Sequence, residues 1–221
     1  MFDEHEIIER WRELRRVLDD AGRPVVLVAV TKTFPVESWA AVVRAGGTDV
    51  AENYADELIA KSEAFRAQFP DLTRPRVHFI GRLQSNKIRR LVGHVDLWQS
   101  VDRDSLVDEI ARRDPGAHVL VQVNATGESG KGGCPLDDAP SLVARATERG
   151  LVVDGLMVVG PTDGDQDRTR IAFDRTTHAA DEAGLTVRSM GMSGDLDLAL
   201  ECGSTMVRVG SAIFGDRPPV D

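Results

Sequence analysis

The stretch that decides the fold is Pro24-Val25-Val26-Leu27-Val28-Ala29-Val30, which Thr31 and Lys32 follow directly. It is short, apolar and mostly β-branched, a pattern typical of a parallel strand buried on both faces. Apolar residues recur at helical spacing before it, over Glu4–Asp20, and after it, over Val36–Ala45. The second helix pattern stops at Gly46-Gly47, so the sequence predicts a helix–strand–helix unit here.

The same unit recurs along the chain. Further strand patterns lie at Thr48–Glu52, Arg76–Gly81, Leu97–Val101, His118–Asn124, Val152–Gly160, Val187–Met192 and Met206–Ile213. Helix patterns lie between most of them, at Tyr54–Phe65, Asn86–Leu91, Arg103–Arg112, Asp137–Arg149, Gln166–Ala183 and Asp195–Cys202. Alternation of this kind predicts parallel strands joined by helical crossovers. A count of about eight strands favours a single α/β domain, a (β/α)8 TIM barrel with an extra N-terminal helix, over an open sheet.

Length and composition narrow the class of protein. A chain of 221 residues fits one barrel domain, which we assign to residues 1–221. The net charge of -9 disfavours a nucleic-acid partner, because such surfaces are normally basic. No apolar run reaches the roughly 18 residues of a membrane span, and the acidic N-terminus does not resemble a secretory signal. We therefore expect a cytoplasmic protein without a membrane partner, in which Cys134 and Cys202 are reduced thiols.

Lys32 is the first candidate for chemistry. Active sites of such barrels lie at the C-terminal ends of the strands, and Lys32 follows the first strand after a single residue. A lysine at the barrel mouth is partly desolvated, which lowers its pKa and supplies the neutral amine that Schiff-base chemistry needs. The alternative is a surface lysine just past a strand end.

Two glycine- and serine-bearing turns follow the last two strands, Ser193-Gly194 and Gly210-Ser211. Barrel enzymes often bind phosphate in the loops at this place. Glycine lets the backbone approach an anion, and the serine hydroxyls add donors. The pair therefore predicts a phosphate site, although ordinary helix caps explain serines equally well.

Arg208 lies within the apolar final strand, where a buried arginine needs a partner. The partner is either a carboxylate of the barrel, such as Glu52, or a ligand heteroatom. Lysine, phosphate turns and arginine together fit pyridoxal 5′-phosphate. They also fit a Schiff-base aldolase acting on a sugar phosphate, with Glu52 as the nearest acid/base candidate, and these residues alone do not separate the two.

Several longer motifs resemble those of the pyridoxal phosphate homeostasis proteins, relatives of the alanine racemase N-terminal domain. They are AVTKT at 29–33, ENY at 52–54, HFIGRLQSNK at 78–87, GLM at 155–157, GMS at 191–193 and GSTMVRVGSAIFG at 203–215. The resemblance implies that pyridoxal phosphate forms a Schiff base with Lys32 and that Asn53 lies near the cofactor ring. It implies that Ser193, Gly194, Gly210 and Ser211 hold the phosphate and that Arg208 faces the pyridine nitrogen. Gly194-Asp195-Leu196 departs from the usual acid pair and methionine, which puts the local turn in doubt.

The resemblance also implies a role. Arginine keeps its proton, so a facing pyridine nitrogen stays unprotonated and the ring is a poor electron sink. We expect the chain to end too soon after Gly215 for a second catalytic domain. The implied function is intracellular homeostasis of pyridoxal phosphate (storage, delivery or buffering) with little or no catalysis, by a monomer or weak dimer. Its acceptors would be apoenzymes that depend on the cofactor, and the alternative is an amino-acid racemase or lyase.

Two further residues near the barrel mouth each have two possible interpretations from the sequence. Lys131 lies in the glycine-rich loop 125–135, either as a second aldehyde acceptor or as an exposed loop lysine. Tyr54 follows Asn53, either packed at the rim or close to the cofactor.

Overall fold

The structure is a computed structural model that describes residues 3–216. The strands of its barrel are β1 (Val26–Val30), β2 (Asp49–Glu52), β3 (Arg76–Phe79), β4 (Leu97–Val101), β5 (His118–Asn124), β6 (Val152–Val158), β7 (Val187–Ser189) and β8 (Met206–Val209). The helices are α1 (Glu4–Asp19), α2 (Glu37–Arg44), α3 (Ala55–Gln68), α4 (Ser85–Leu91), α5 (Asp104–Arg113), α6 (Ala139–Glu148), α7 (Gln166–Glu182), α8 (Leu196–Glu201) and α9 (Ser211–Phe214). Helices separate the successive strands, as the alternating pattern predicts.

The eight strands form a closed parallel barrel. Each strand pairs with the next along the chain, and β8 returns to pair with β1, where Leu27 lies opposite Val207. A two-residue strand, Cys134–Pro135, adds to the end of β5. The prediction of a (β/α)8 barrel with an extra N-terminal helix is therefore confirmed. Because β1 and β8 are neighbours, the loop that carries Lys32 lies beside the strand that carries Arg208.

The apolar core lies in two places. A large cluster fills the space between strands and helices, with Trp39 and Trp98 fully buried. A small cluster fills the barrel interior and consists of Val28, Ala51, Leu97, Leu120, Met157 and Met206. Helix α1 buries Trp11 and packs on the outside of the barrel against α2 and α9. Within residues 3–216, no helix is long and apolar enough to cross a membrane.

The last two strands are shorter than their apolar patterns predict. The predicted strand Met206–Ile213 is wrong beyond Val209, because the chain turns at Gly210 and continues as α9. The predicted strand Val187–Met192 ends at Ser189. Both segments end in short turns at the C-terminal mouth of the barrel, so Ser193-Gly194 and Gly210-Ser211 lie in neighbouring turns there. Cys134 and Cys202 are both free, as expected of reduced thiols, and burial raises the pKa of each thiol to about 11.

Candidate functional site

A cavity of about 410 Å³ opens at the C-terminal mouth of the barrel. Its lining contains the seven residues that the sequence predicts for a cofactor, Lys32, Asn53, Ser193, Gly194, Arg208, Gly210 and Ser211. The rest of the lining is apolar and consists of Val30, Ile80, Met157, Val159 and Met192. An apolar cavity of this size with a few convergent polar groups is typical of a small-molecule site. The structure thus brings the seven residues together, while their roles in binding stay predictions.

The segment around Lys32 is fixed from behind by α3. Lys61, on that helix, donates from Nζ to the backbone oxygen of Thr31 at 2.6 Å and to Glu57 Oε1 at 2.7 Å. The same Glu57 oxygen accepts from the backbone N–H of Thr33 at 2.6 Å. Thr33 has a φ of 69°, a left-handed conformation that is costly for a β-branched residue. These contacts hold the strained turn and thereby fix the backbone on which Lys32 is carried.

Glu52 belongs to the same cluster and not to the cavity. Its side chain is fully buried, and its Oε1 accepts from Lys61 at 2.7 Å, from Thr31 Oγ1 at 2.6 Å and from Trp39 Nε1 at 3.2 Å. Burial raises the pKa of Glu52, against the opposing charge of Lys61. Of the two alternatives for Arg208, the ion pair with Glu52 is therefore wrong, because the strand end turns Glu52 toward α3. Its place outside the cavity also removes Glu52 as the acid/base candidate for an aldolase.

Asn53 reaches the cavity because Gly81 lets two strand ends approach each other. A Cβ atom at Gly81 would lie 1.9 Å from the backbone oxygen of Asn53, a distance that no side chain can occupy. Asn53 Oδ1 is buried and has no hydrogen-bond partner within the described part of the chain. The side chain of Asn53 belongs to the cavity lining, and its contact with a ligand stays a prediction. The role of Gly81 was not predicted, although a glycine at a strand end is a usable signal in the sequence.

The two glycine- and serine-bearing turns touch each other. Ser193 Oγ accepts from the backbone N–H of Ala212 at 3.3 Å, and a Cβ at Gly194 would meet open space. Neither serine is a helix cap, since the N-cap residues are Asp195 for α8 and Gly210 for α9. The alternative interpretation of these serines as helix caps is wrong. The turn containing Gly194 leaves room at the cavity despite its departure from the usual sequence.

Arg208 is 3% exposed and points its guanidinium into the barrel interior. Its Nη1 donates to Ser189 Oγ at 2.7 Å, and its Nη2 donates to the backbone oxygen of Val158 at 2.8 Å. Burial lowers the pKa of Arg208 to about 10, with the charge of Asp195 opposing the shift. The group is therefore a cation at neutral pH that is held by two neutral oxygens, at a cavity that can accept a ligand.

Ser189 leads to three further buried polar side chains that the sequence analysis missed. Ser189 Oγ donates to Gln99 Oε1 at 2.7 Å, and Gln99 Nε2 lies 2.6 Å from His78 Nδ1. His78 Nε2 lies 2.9 Å from Asp49 Oδ1. The available signal was a polar residue within each of three buried strands, with Asp49 at the start of β2 and His78 and Gln99 inside β3 and β4.

Lys131 and Tyr54 lie outside the cavity lining. Lys131 donates to the backbone oxygen of Gly160 and lies 3.4 Å from Glu128 Oε2. Glu128 also accepts from the hydroxyl and backbone N–H of Thr162, which hold its pKa down to about 2. Lys131 thus joins two loops of the rim and is not an exposed loop lysine. Tyr54 is 55% exposed and is not part of the cavity lining.

The barrel and its site define the class of protein. The chain belongs to the alanine racemase N-terminal domain family, which matches residues 2–218. Its relatives include a protein of Vibrio alginolyticus, 37% identical over 205 residues and 87% of both chains, and one of Pasteurella multocida, 34% identical over 229 residues and 97% of both. Both relatives are named pyridoxal phosphate homeostasis protein.

Solved structures agree with this assignment. PipY of Synechococcus elongatus, solved with pyridoxal phosphate bound, superposes with a TM-score of 0.83 at 31% identity and covers 95% of this chain and 100% of its own. Alanine racemase of Corynebacterium glutamicum superposes with a TM-score of 0.74 at 17% identity. This chain covers 62% of that racemase, and the two share the fold of the barrel.

Proposed function

We propose that this protein binds pyridoxal 5′-phosphate, holds it covalently on Lys32 and serves cofactor homeostasis in the cytoplasm. The proposal rests on one cavity that is lined by the amine of Lys32, the buried cation of Arg208, the amide of Asn53 and the two glycine- and serine-bearing turns. The names of the relatives and the ligand of PipY support the choice of cofactor.

The residues present fit the groups of this cofactor. When bound, pyridoxal phosphate supplies an aldehyde that condenses with a lysine amine to a Schiff base, which makes Lys32 the attachment point. Asn53, which lines the cavity, is the residue that would lie near the ring. Ser193 and Ser211 would donate hydrogen bonds from their hydroxyl groups to the phosphate, and the open space at Gly194 would let the backbone approach it.

Arg208 sets how reactive the bound cofactor becomes. With a pKa of about 10, its guanidinium keeps all of its protons at neutral pH. A ring nitrogen that faces it therefore accepts a hydrogen bond but receives no proton, and the pull on electrons from a bound amino acid stays weak. The chain's own chemistry thus favours holding the cofactor over catalysis with it.

Covalent trapping tests the attachment. Protein mixed with pyridoxal phosphate should show the absorbance band of a Schiff base, and borohydride followed by peptide mass spectrometry should place the label on Lys32. Lys32→Ala should abolish the band, whereas Lys131→Ala, which removes a lysine of the rim, should retain it. A band that persists unchanged in Lys32→Ala contradicts the proposal.

Two assays separate homeostasis from a racemase or lyase. Loaded protein incubated with single amino acids in deuterated water should exchange the α-proton no faster than the free cofactor does. Loaded protein mixed with an apoenzyme that depends on pyridoxal phosphate should restore that enzyme's activity. Rapid exchange with one amino acid favours the enzyme, and failure to restore any apoenzyme removes the delivery role.

A further inference from the structure

A row of five buried polar side chains crosses the barrel interior from the cavity to the opposite end. It runs from Arg208 through Ser189, Gln99 and His78 to Asp49, and we call it the polar row. Its four contacts measure 2.7, 2.7, 2.6 and 2.9 Å. The five residues come from five different strands, and each is at most 7% exposed. Burying so many polar groups is costly unless each is satisfied, and here each finds its partner in the row.

With the Gln99 amide oriented so that its Nε2 faces His78, the chemistry of the groups gives each hydrogen bond one direction. Arginine only donates, so Ser189 Oγ accepts from Arg208 and passes its own proton to Gln99 Oε1. The amide nitrogen of Gln99 then donates to His78 Nδ1, which must be unprotonated. The proton of the imidazole is left on Nε2, where it faces the carboxylate of Asp49.

The electrostatics of the two end groups agree with this direction. Burial lowers the pKa of His78, which favours a neutral imidazole. Burial acts to raise the pKa of Asp49, but hydrogen bonds from His78 and Thr48 outweigh it, so the carboxylate stays ionised. All donors therefore point from the cation at the cavity toward the anion at the far end, an arrangement in which neighbouring bonds strengthen one another.

We propose that the polar row is a positioning device for Arg208, in which Ser189, Gln99 and His78 act on the bound cofactor through the guanidinium. Without Ser189, the recorded contacts of Arg208 reduce to the single bond with Val158 O, and the planar group can rotate about it. The consequence for the cofactor rests on the proposed function. The bond pattern itself is a property of the protein alone.

The first test needs no cofactor. Long-range 1H–15N spectra of the ¹⁵N-labelled apoprotein should show His78 neutral, with its proton on Nε2, and should resolve separate Nη signals for a restrained Arg208. Ser189→Ala should merge the Arg208 signals and shift His78 Nδ1, two contacts away. The matched control is Ser204→Ala, which removes an equally buried hydroxyl whose partners are backbone oxygens outside the row. It should leave both sets of signals in place.

The second test measures affinity for pyridoxal phosphate. Ser189→Ala and Gln99→Met should each weaken binding about 10-fold, as expected for losing a hydrogen bond that orders a charged group, while the Lys32 band still forms. The double variant Ser189→Ala/Gln99→Met should bind pyridoxal phosphate about as weakly as whichever single variant has the lower affinity, because the two residues act as one unit. Ser204→Ala should stay within about 2-fold of wild type.

The outcomes separate the two proposals. A wild-type His78 that carries its proton on Nδ1 overturns the polar row, as do equal effects of Ser189→Ala and Ser204→Ala on Arg208. Wild-type protein that does not bind pyridoxal phosphate overturns the proposed function, and the spectra of the apoprotein then still decide on the polar row. A variant that fails to fold leaves the wild-type protonation state of His78 as the deciding measurement.

Discussion

The Nζ atom of Lys61 lies 2.7 Å from Glu52 Oε1, in a position where the two side chains are only 8% and 0% exposed. The same ammonium contacts the backbone of Thr31, next to the lysine proposed to hold the cofactor. A buried ion pair therefore lies behind the cavity. Lys61 also contacts Glu57, which accepts from the backbone N–H of Thr33 and so supports the strained turn there.

Replacing Lys61 by methionine should destabilise the barrel. The change leaves the Glu52 carboxyl buried without its cation, and breaking a buried pair in this way costs about 3–5 kcal/mol. Urea unfolding measures the loss, and Lys61→Met/Glu52→Gln should recover part of it. Lys87→Met, which breaks an exposed pair with Asp56, is the control and should stay near wild type. Equal losses in the two lysine variants would contradict the role of burial.

His78 should make stability depend on pH. Its pKa in the folded protein lies below the ordinary value of 6.5, so below pH 6.5 the unfolded chain binds a proton that the folded protein does not. The free energy of unfolding therefore falls as the pH falls through this window. His78→Gln lacks the titrating group, and its urea-unfolding free energy should vary less between pH 7.5 and 5.

Glu52 changes the pH dependence of stability in the opposite direction to His78. Comparing wild type with His78→Gln removes this effect, because both proteins contain Glu52. Its raised pKa makes the folded protein bind more protons above pH 4.5, which increases stability as the pH falls, in wild type and variant alike. A pH dependence of His78→Gln as steep as that of wild type would show that the imidazole is not buried neutral.

The two serines of the cavity turns, Ser193 and Ser211, should matter for binding of pyridoxal phosphate more than for binding of pyridoxal. Ser193→Ala/Ser211→Ala should weaken binding of pyridoxal phosphate about 10- to 100-fold, because each hydroxyl bond to a charged group is worth roughly 1.5–3 kcal/mol and partly compensating waters reduce the sum. Binding of pyridoxal, which lacks the phosphate, should change less than about 3-fold. Ser100→Ala removes a buried hydroxyl without a recorded partner and serves as control. Parallel losses for both ligands would place the phosphate elsewhere.

Gly81→Ala should disturb Asn53 and the barrel together. The new methyl group would lie 1.9 Å from the Asn53 backbone oxygen, so the two strand ends must separate. Overpacking of this kind costs about 1–3 kcal/mol, measurable by urea unfolding, and affinity for pyridoxal phosphate should fall with it. For stability alone, Gly194→Ala is the control, since its methyl group meets open space. Unchanged affinity in Gly81→Ala would separate Asn53 from ligand binding.

Much of the fold and of the cavity lining could be predicted because both follow from local patterns. The apolar strand before Lys32 and the turns at Ser193 and Ser211 are each visible within a few residues of sequence. The partners of buried polar groups are not local. Glu52 pairs with Lys61 because α3 packs over β2, and Ser189 meets Gln99 because β7 and β4 face each other across the barrel. Neither contact follows from periodicity, which is why Glu52 stood as one of two alternative partners of Arg208 and the polar row was missed.

The proposed cofactor site forms only when the barrel closes, because closure pairs β8 with β1. Lys32 follows the first strand and Arg208 lies on the last, so the two residues meet only across this seam. Pairing such distant parts of the chain is entropically costly, and a ligand that binds only the folded form stabilises that form by mass action. We therefore expect a chain in which β8 has left β1 to lack this cavity, so that saturable binding of pyridoxal phosphate would report a closed barrel.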